Sequence, residues 1–143
     1  MKQLKVKAVR DLGPQLVDNR HEMIGQDGAY SIPLKEGALW FFGDTLIGKR
    51  LPGKSLWYLG DVPVGAADMS GKGGVKKMHI NTGLVLRDKT GRNGLNRFHY
   101  ILDDNGQLKT LIPLWPGEDH DEIRVWCLDG IERGDRLYLY FIK

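Results

Sequence analysis

Gly25-Gln26-Asp27-Gly28-Ala29-Tyr30-Ser31-Ile32-Pro33-Leu34-Lys35-Glu36-Gly37-Ala38-Leu39-Trp40-Phe41-Phe42-Gly43-Asp44-Thr45 is the stretch whose reading decides the fold. Two apolar, aromatic-rich runs, residues 29–34 and 38–42, are joined by Lys35-Glu36-Gly37 alone. Short runs of this composition between glycine signals predict a β-hairpin. The hairpin sets Asp27 at the mouth of one strand and Asp44 at the end of the next. On an all-β scaffold, polar chemistry concentrates at such strand ends and loops.

Outward from the hairpin, the same signals recur. Leu4-Lys5-Val6-Lys7-Ala8-Val9 alternates apolar and basic residues and predicts a half-buried strand. Residues 11–22 are turn-rich, broken by Gly13-Pro14. Residues 49–77 carry many glycines and read as a long inserted loop with at most one short strand at Leu56-Trp57-Tyr58-Leu59. A strand is predicted over residues 78–86, and Asn105-Gly106 marks a hairpin between residues 98–102 and 108–112. A last strand pair is predicted at 123–128 and 136–142, and no stretch predicts a helix of ordinary length.

The string Asp27 to Leu34, followed by Leu39-Trp40-Phe41-Phe42-Gly43-Asp44-Thr45, resembles the first blade of five-bladed β-propeller proteins related to glycoside hydrolases. Leu114-Trp115-Pro116-Gly117 and Gly134-Asp135-Arg136-Leu137-Tyr138-Leu139-Tyr140-Phe141 are similar to the opening of the next blade. Within the chain, Gly37-Ala38-Leu39-Trp40-Phe41-Phe42 compares with Asp135-Arg136-Leu137-Tyr138-Leu139-Tyr140, Leu39 matching Leu137. The expectation is therefore an all-β, antiparallel, partial five-bladed propeller forming one domain over 1–143. Residues 1–116 would be the first blade, with its insertion at 49–77, and 117–143 the first hairpin of a second.

Glycosidases of this kind use one carboxylic acid to protonate the leaving oxygen and one carboxylate to attack or to activate water. The resemblance gives Asp27 the part of general base or nucleophile; the plain alternative is an Asp-Gly turn cap. Asp44, Asp119 and Asp121 are the candidate substrate-binding acids, each also readable as a turn or loop residue. Among the four tryptophans, Trp57 and Trp115 lie nearest loops and are the candidate sugar platforms, whereas Trp40 and Trp126 sit in strand-like surroundings that predict core packing.

Composition bounds the alternatives. At 143 residues a compact chain removes roughly 70% of its extended-chain surface from water, enough for a core. The 21 basic against 18 acidic residues leave only a slight positive excess, which does not predict a nucleic-acid partner. No apolar run approaches the ~18 residues of a membrane span. A single cysteine, Cys127, between apolar neighbours predicts a buried structural thiol. His79 and His99 lack a third ligand at a defined spacing, so neither a metal nor another cofactor is predicted. The expected partner is carbohydrate, and the open edge of the last strand predicts homo-oligomers. The competing reading is a non-catalytic carbohydrate-binding or protein-interaction module.

Overall fold

A computed structural model describes residues 5–16, 20–49, 58–59, 62–63, 74–88 and 90–143. The protein is all-β, 45% strand with no α-helix among the described residues, and its sheets are antiparallel. At its centre β2 (Ala29–Leu34), β3 (Gly37–Phe42), β8 (Thr82–Leu86) and β9 (Phe98–Tyr100) form a four-stranded sheet in that order. The predicted hairpin is present: Leu34 pairs with Gly37 across the two-residue turn Lys35-Glu36, and the register runs on to Ala29 against Phe42. Pro33, which has no amide proton to give, is accommodated because β2 is an edge strand of this sheet.

β3 explains its own aromatic run. Leu39 and Phe41 turn to one face and pack with Ile32, Cys127 and Leu139, while Trp40 and Phe42 turn to the other with Leu84, Leu86, Tyr100 and Leu108. A strand covered on both faces needs apolar residues in succession rather than in alternation. The first cover is the hairpin of β10 (Trp126–Arg133) and β11 (Arg136–Ile142), with β10 running alongside β2. The second draws on the sheet of β1 (Met23–Gln26), β4 (Thr45–Gly48) and β7 (Val75–His79), from which Met23 and Ile47 reach the shared core. Two short strands, β5 (Tyr58–Leu59) and β6 (Val62–Pro63), pair with each other.

Several sequence expectations are corrected. Of the alternating N-terminal segment, Lys5 to Val9 are described and form no strand; they are exposed, Val9 at 86%, and no strand among the described residues offers them a ladder. The predicted loop over 49–77 ends early, because Val75, Lys76 and Lys77 belong to β7 and pair with β4. The single strand predicted at 78–86 is two, in different sheets, with Ile80 and Asn81 at the break. Around Asn105-Gly106 the ladder is shorter than predicted, three residues in β9 and one bridge from Leu102 to Leu108. The penultimate strand begins at Trp126 rather than at residue 123.

Asn81 accounts for the break between β7 and β8. Fully buried, it donates through Nδ2 to the carbonyls of Ile112 (2.9 Å) and Val125 (3.2 Å) and accepts from the Ile112 amide (2.9 Å). One side chain thus replaces the ladder for the connector that leads into β10, leaving buried backbone groups paired.

Candidate functional site

Where β2 and β3 meet the start of β10, a groove of about 310 Å³ opens between the two hairpins. Its lining includes Asp27, Tyr30, Gly43, Trp126, Leu128 and Ile142. Asp27 is held by its backbone: its amide donates to the Asp44 carbonyl (2.9 Å), and its own carbonyl accepts from the Gly43 amide (2.8 Å). These two bonds join the mouths of adjacent strands, so Asp27 and Asp44 lie side by side. The Asp27 carboxylate stands exposed in the groove, its Oδ1 accepting from the Gly28 amide at 2.8 Å. That bond is the one expected of an Asp-Gly turn, and it also fixes the carboxylate's orientation.

Asp44 is set deeper. Its Oδ1 lies 3.5 Å from Arg124 Nε and makes no hydrogen bond, and the Trp126 indole stands beside the carboxylate. Burial pushes the Asp44 carboxyl above its usual range; Arg124 and the indole pull it back, and the charge of Asp27 pushes in the same direction as burial. Two neighbouring carboxyl groups therefore have different environments, one solvated and one resisting ionisation. Such divergence is how paired carboxyl groups take separate acid and base parts.

Trp126 corrects an expectation. Predicted to be core, it is 38% exposed and forms part of the groove wall with Tyr30. Its indole rests on Gly43, where a Cβ would come within 3.1 Å of Cδ1 and 3.2 Å of Nε1. A residue with a side chain at 43 would have to displace the ring. Behind Gly43 runs a chain of buried hydroxyls. Gln26 Nε2 donates to Thr82 Oγ1 (3.0 Å), Thr82 and Thr45 lie 2.7 Å apart, and Thr45 Oγ1 donates to the Gly43 carbonyl (3.1 Å). Since the Thr45 proton is committed to Gly43, Thr82 is the donor between the two threonines. The chain runs in one direction from β1 to the groove.

The remaining candidates lie elsewhere. Trp115 is 74% exposed, with Lys143 Nζ 4.6 Å above its ring, and Glu118 joins the pair by accepting from the Trp115 amide at 2.8 Å and contacting Lys143. Those contacts hold the Glu118 carboxyl below its usual range, the Lys143 bond foremost. Asp119 and Asp121 form an exposed turn in which Asp119 Oδ1 accepts from the Asp121 amide at 2.8 Å. Ligand atoms of Asp119, His120 and Asp121 come within 4.8 Å of one another, a spacing common in exposed acidic turns. None of these three lines the groove. Trp57 lies outside the described residues. His79 and His99 belong to different sheets. His79 is buried and bonded to Thr110 (2.8 Å), and His99 lines a separate depression with Glu36 and Arg87. Cys127 is buried as predicted, and burial raises its thiol pKa, which disfavours the nucleophilic thiolate.

Sequence reasoning did not find Arg124 or the groove role of Trp126. Arg124 sits in a charged connector like many other surface cations, so nothing local distinguishes it. Trp126 was legible only as an aromatic in an apolar run. The sequence matches no protein-family profile, and neither a curated protein nor a solved structure is significantly similar to it.

Proposed function

We propose that the groove at the mouths of β2 and β10 binds carbohydrate, in a partial propeller of glycoside-hydrolase type in which Asp27 is the carboxylate that acts on the sugar. One observation carries this reading: an exposed carboxylate shares a groove with Tyr30 and Trp126, and a second carboxyl that resists ionisation stands beside it. Aromatic faces stack on the C–H faces of sugar rings, and the carboxylate offers oxygen acceptors for their hydroxyls. Support for the architecture comes from the four-stranded antiparallel sheet, the strand count of a propeller blade, with a further hairpin packed on one of its faces.

The test is binding and hydrolysis on an array of oligosaccharides. Trp126→Ala should abolish binding of any ligand found. Asp27→Asn should leave binding within a few-fold and reduce turnover by at least about 10²-fold, the smallest share expected of a positioned acid or base. Unchanged turnover in Asp27→Asn removes Asp27 from the mechanism.

A non-catalytic sugar-binding module is the second reading, favoured by the exposure of Trp115 beside Lys143. It predicts binding without turnover in the wild-type chain, lost in Trp115→Ala and retained in Asp27→Asn.

A further inference from the structure

The outer edge of the C-terminal hairpin has the geometry to pair with itself. Among the described residues β11 is bonded to β10 and to no other strand. Gly134 and Asp135 form a two-residue turn, so the closing pair Arg133 and Arg136 is a hydrogen-bonded one. From there the backbone alternates: Arg136, Tyr138 and Tyr140 direct their amides to β10, while Leu137, Leu139 and Phe141 present theirs at the open edge. No charged side chain stands between Arg136 and Lys143, so nothing in this stretch repels a like strand.

We propose that the chain self-associates by antiparallel pairing of β11 with β11 of a second copy, about a two-fold axis through Leu139. In that register every outward-facing residue meets an outward-facing one: Leu139 meets Leu139, and Leu137 meets Phe141 of the second copy. Tyr138 stands beside Tyr140 of the second copy. Asp135 in each turn comes opposite Lys143 of the other copy, which adds a second carboxylate beside an ammonium that also contacts Glu118 of its own chain, twice over the interface.

Charge selects this register over its neighbours. With the axis on Tyr138, Asp135 falls opposite Phe141 and Lys143 runs past the Gly134-Asp135 turn, so the ionic pairs are lost. With the axis on Tyr140, Lys143 faces Leu137 and the ionic pairs are lost. An axis midway between residues matches outward amides with inward ones and breaks the ladder. Identical surfaces related by a two-fold axis close on themselves, so the product is a dimer rather than a fibre. Edge pairing over so few residues buries a small area, which places the association in the weak, concentration-dependent class.

Sedimentation of the full chain over roughly 1 to 100 μM should show a dimer growing with concentration, on the micromolar scale of small interfaces. Asp135→Lys should weaken association by about tenfold or more at low salt, since two like-charge pairs replace two attractive ones. The combined Asp135→Lys and Lys143→Asp variant should restore it. Amide exchange gives an independent reading: Leu137, Leu139 and Phe141 should gain protection with concentration, while Tyr138 and Tyr140 stay unchanged. A monomer throughout the range, failure of the charge swap to restore the dimer, or edge protection independent of concentration overturns the proposal.

Discussion

The hairpins β2–β3 and β10–β11 share the habit of aromatic and aliphatic residues in succession, yet one lies in the core and the other on the surface. Leu39, Phe41 and Phe42 are buried, whereas Tyr140 is 65% exposed and Phe141 and Ile142 are about half exposed. Intrinsic preference is nearly the same for both, since aromatic and β-branched residues favour extended backbone wherever it occurs. What separates them is the number of neighbours. β3 has a strand on each side and cover on each face; among the described residues β11 has one bonded neighbour, and the face bearing Leu139 packs inward. Burial is a property of position in the assembly of strands, and local pattern reports only the capacity for it.

The sharpest way to break this comparison is to truncate one aromatic in each hairpin. Phe41→Ala should cost about 3–5 kcal/mol in urea unfolding, because a fully buried ring leaves a cavity that the two packed faces cannot close. Tyr140→Ala should cost no more than about 0.5 kcal/mol, as expected for an exposed side chain away from caps and networks. Comparable losses at both sites would mean that β11 is covered in solution.

Asn81 sharpens it next. Asn81→Ala removes three hydrogen bonds and strands the backbone groups of Ile112 and Val125, for an expected loss of about 2–4 kcal/mol. The effect should be uneven: hydrogen exchange in β10–β11 should accelerate before that in β2–β3, because Asn81 ties down the connector leading into the outer hairpin. Uniform acceleration would show that the two hairpins open as one unit.

The smallest effect comes from Asp44, which joins the hairpins through Trp126. Its folded pKa lies above the unfolded value of 3.8, so folding favours the protonated form. That contribution is complete below the unfolded pKa and is lost as pH rises through the folded one. As pH rises from the unfolded carboxyl value through the higher folded one, wild type should therefore lose stability relative to Asp44→Asn. A difference that is flat with pH, or that moves the other way, would mean that Arg124 outweighs burial.

The inner hairpin was legible because its information is local: a two-residue turn, flanking glycines and paired apolar runs fix register without reference to the rest of the chain. For the same reason Asp27 and Asp44 could be set at strand ends of the hairpin from sequence, whereas the backbone bonds that bring them side by side were not read. Where distant residues decide the outcome, the reading failed. Residues 5–9 have the alternation of a strand but no strand partner among the described residues, and residues 78–86 have the composition of one strand but are divided by hydrogen bonds from Asn81 to positions 112 and 125. Trp126 belongs to the same class. Its apolar flanks predict burial, and only the approach of Gly43 and Asp44 from another hairpin sets it at a groove.

That approach also gives the protein an optical signal of its own chemistry. An indole beside an ionisable carboxyl emits differently when the carboxyl gains a proton, because the charge beside its excited-state dipole disappears. Trp126 should therefore register the ionisation of Asp44 as a change in fluorescence, with a midpoint above the ordinary carboxylate value. The difference between wild type and Trp126→Phe isolates this emitter from the other three tryptophans. A sugar seated against the ring would disturb the same emission, so proton and ligand can be followed through one residue without a label.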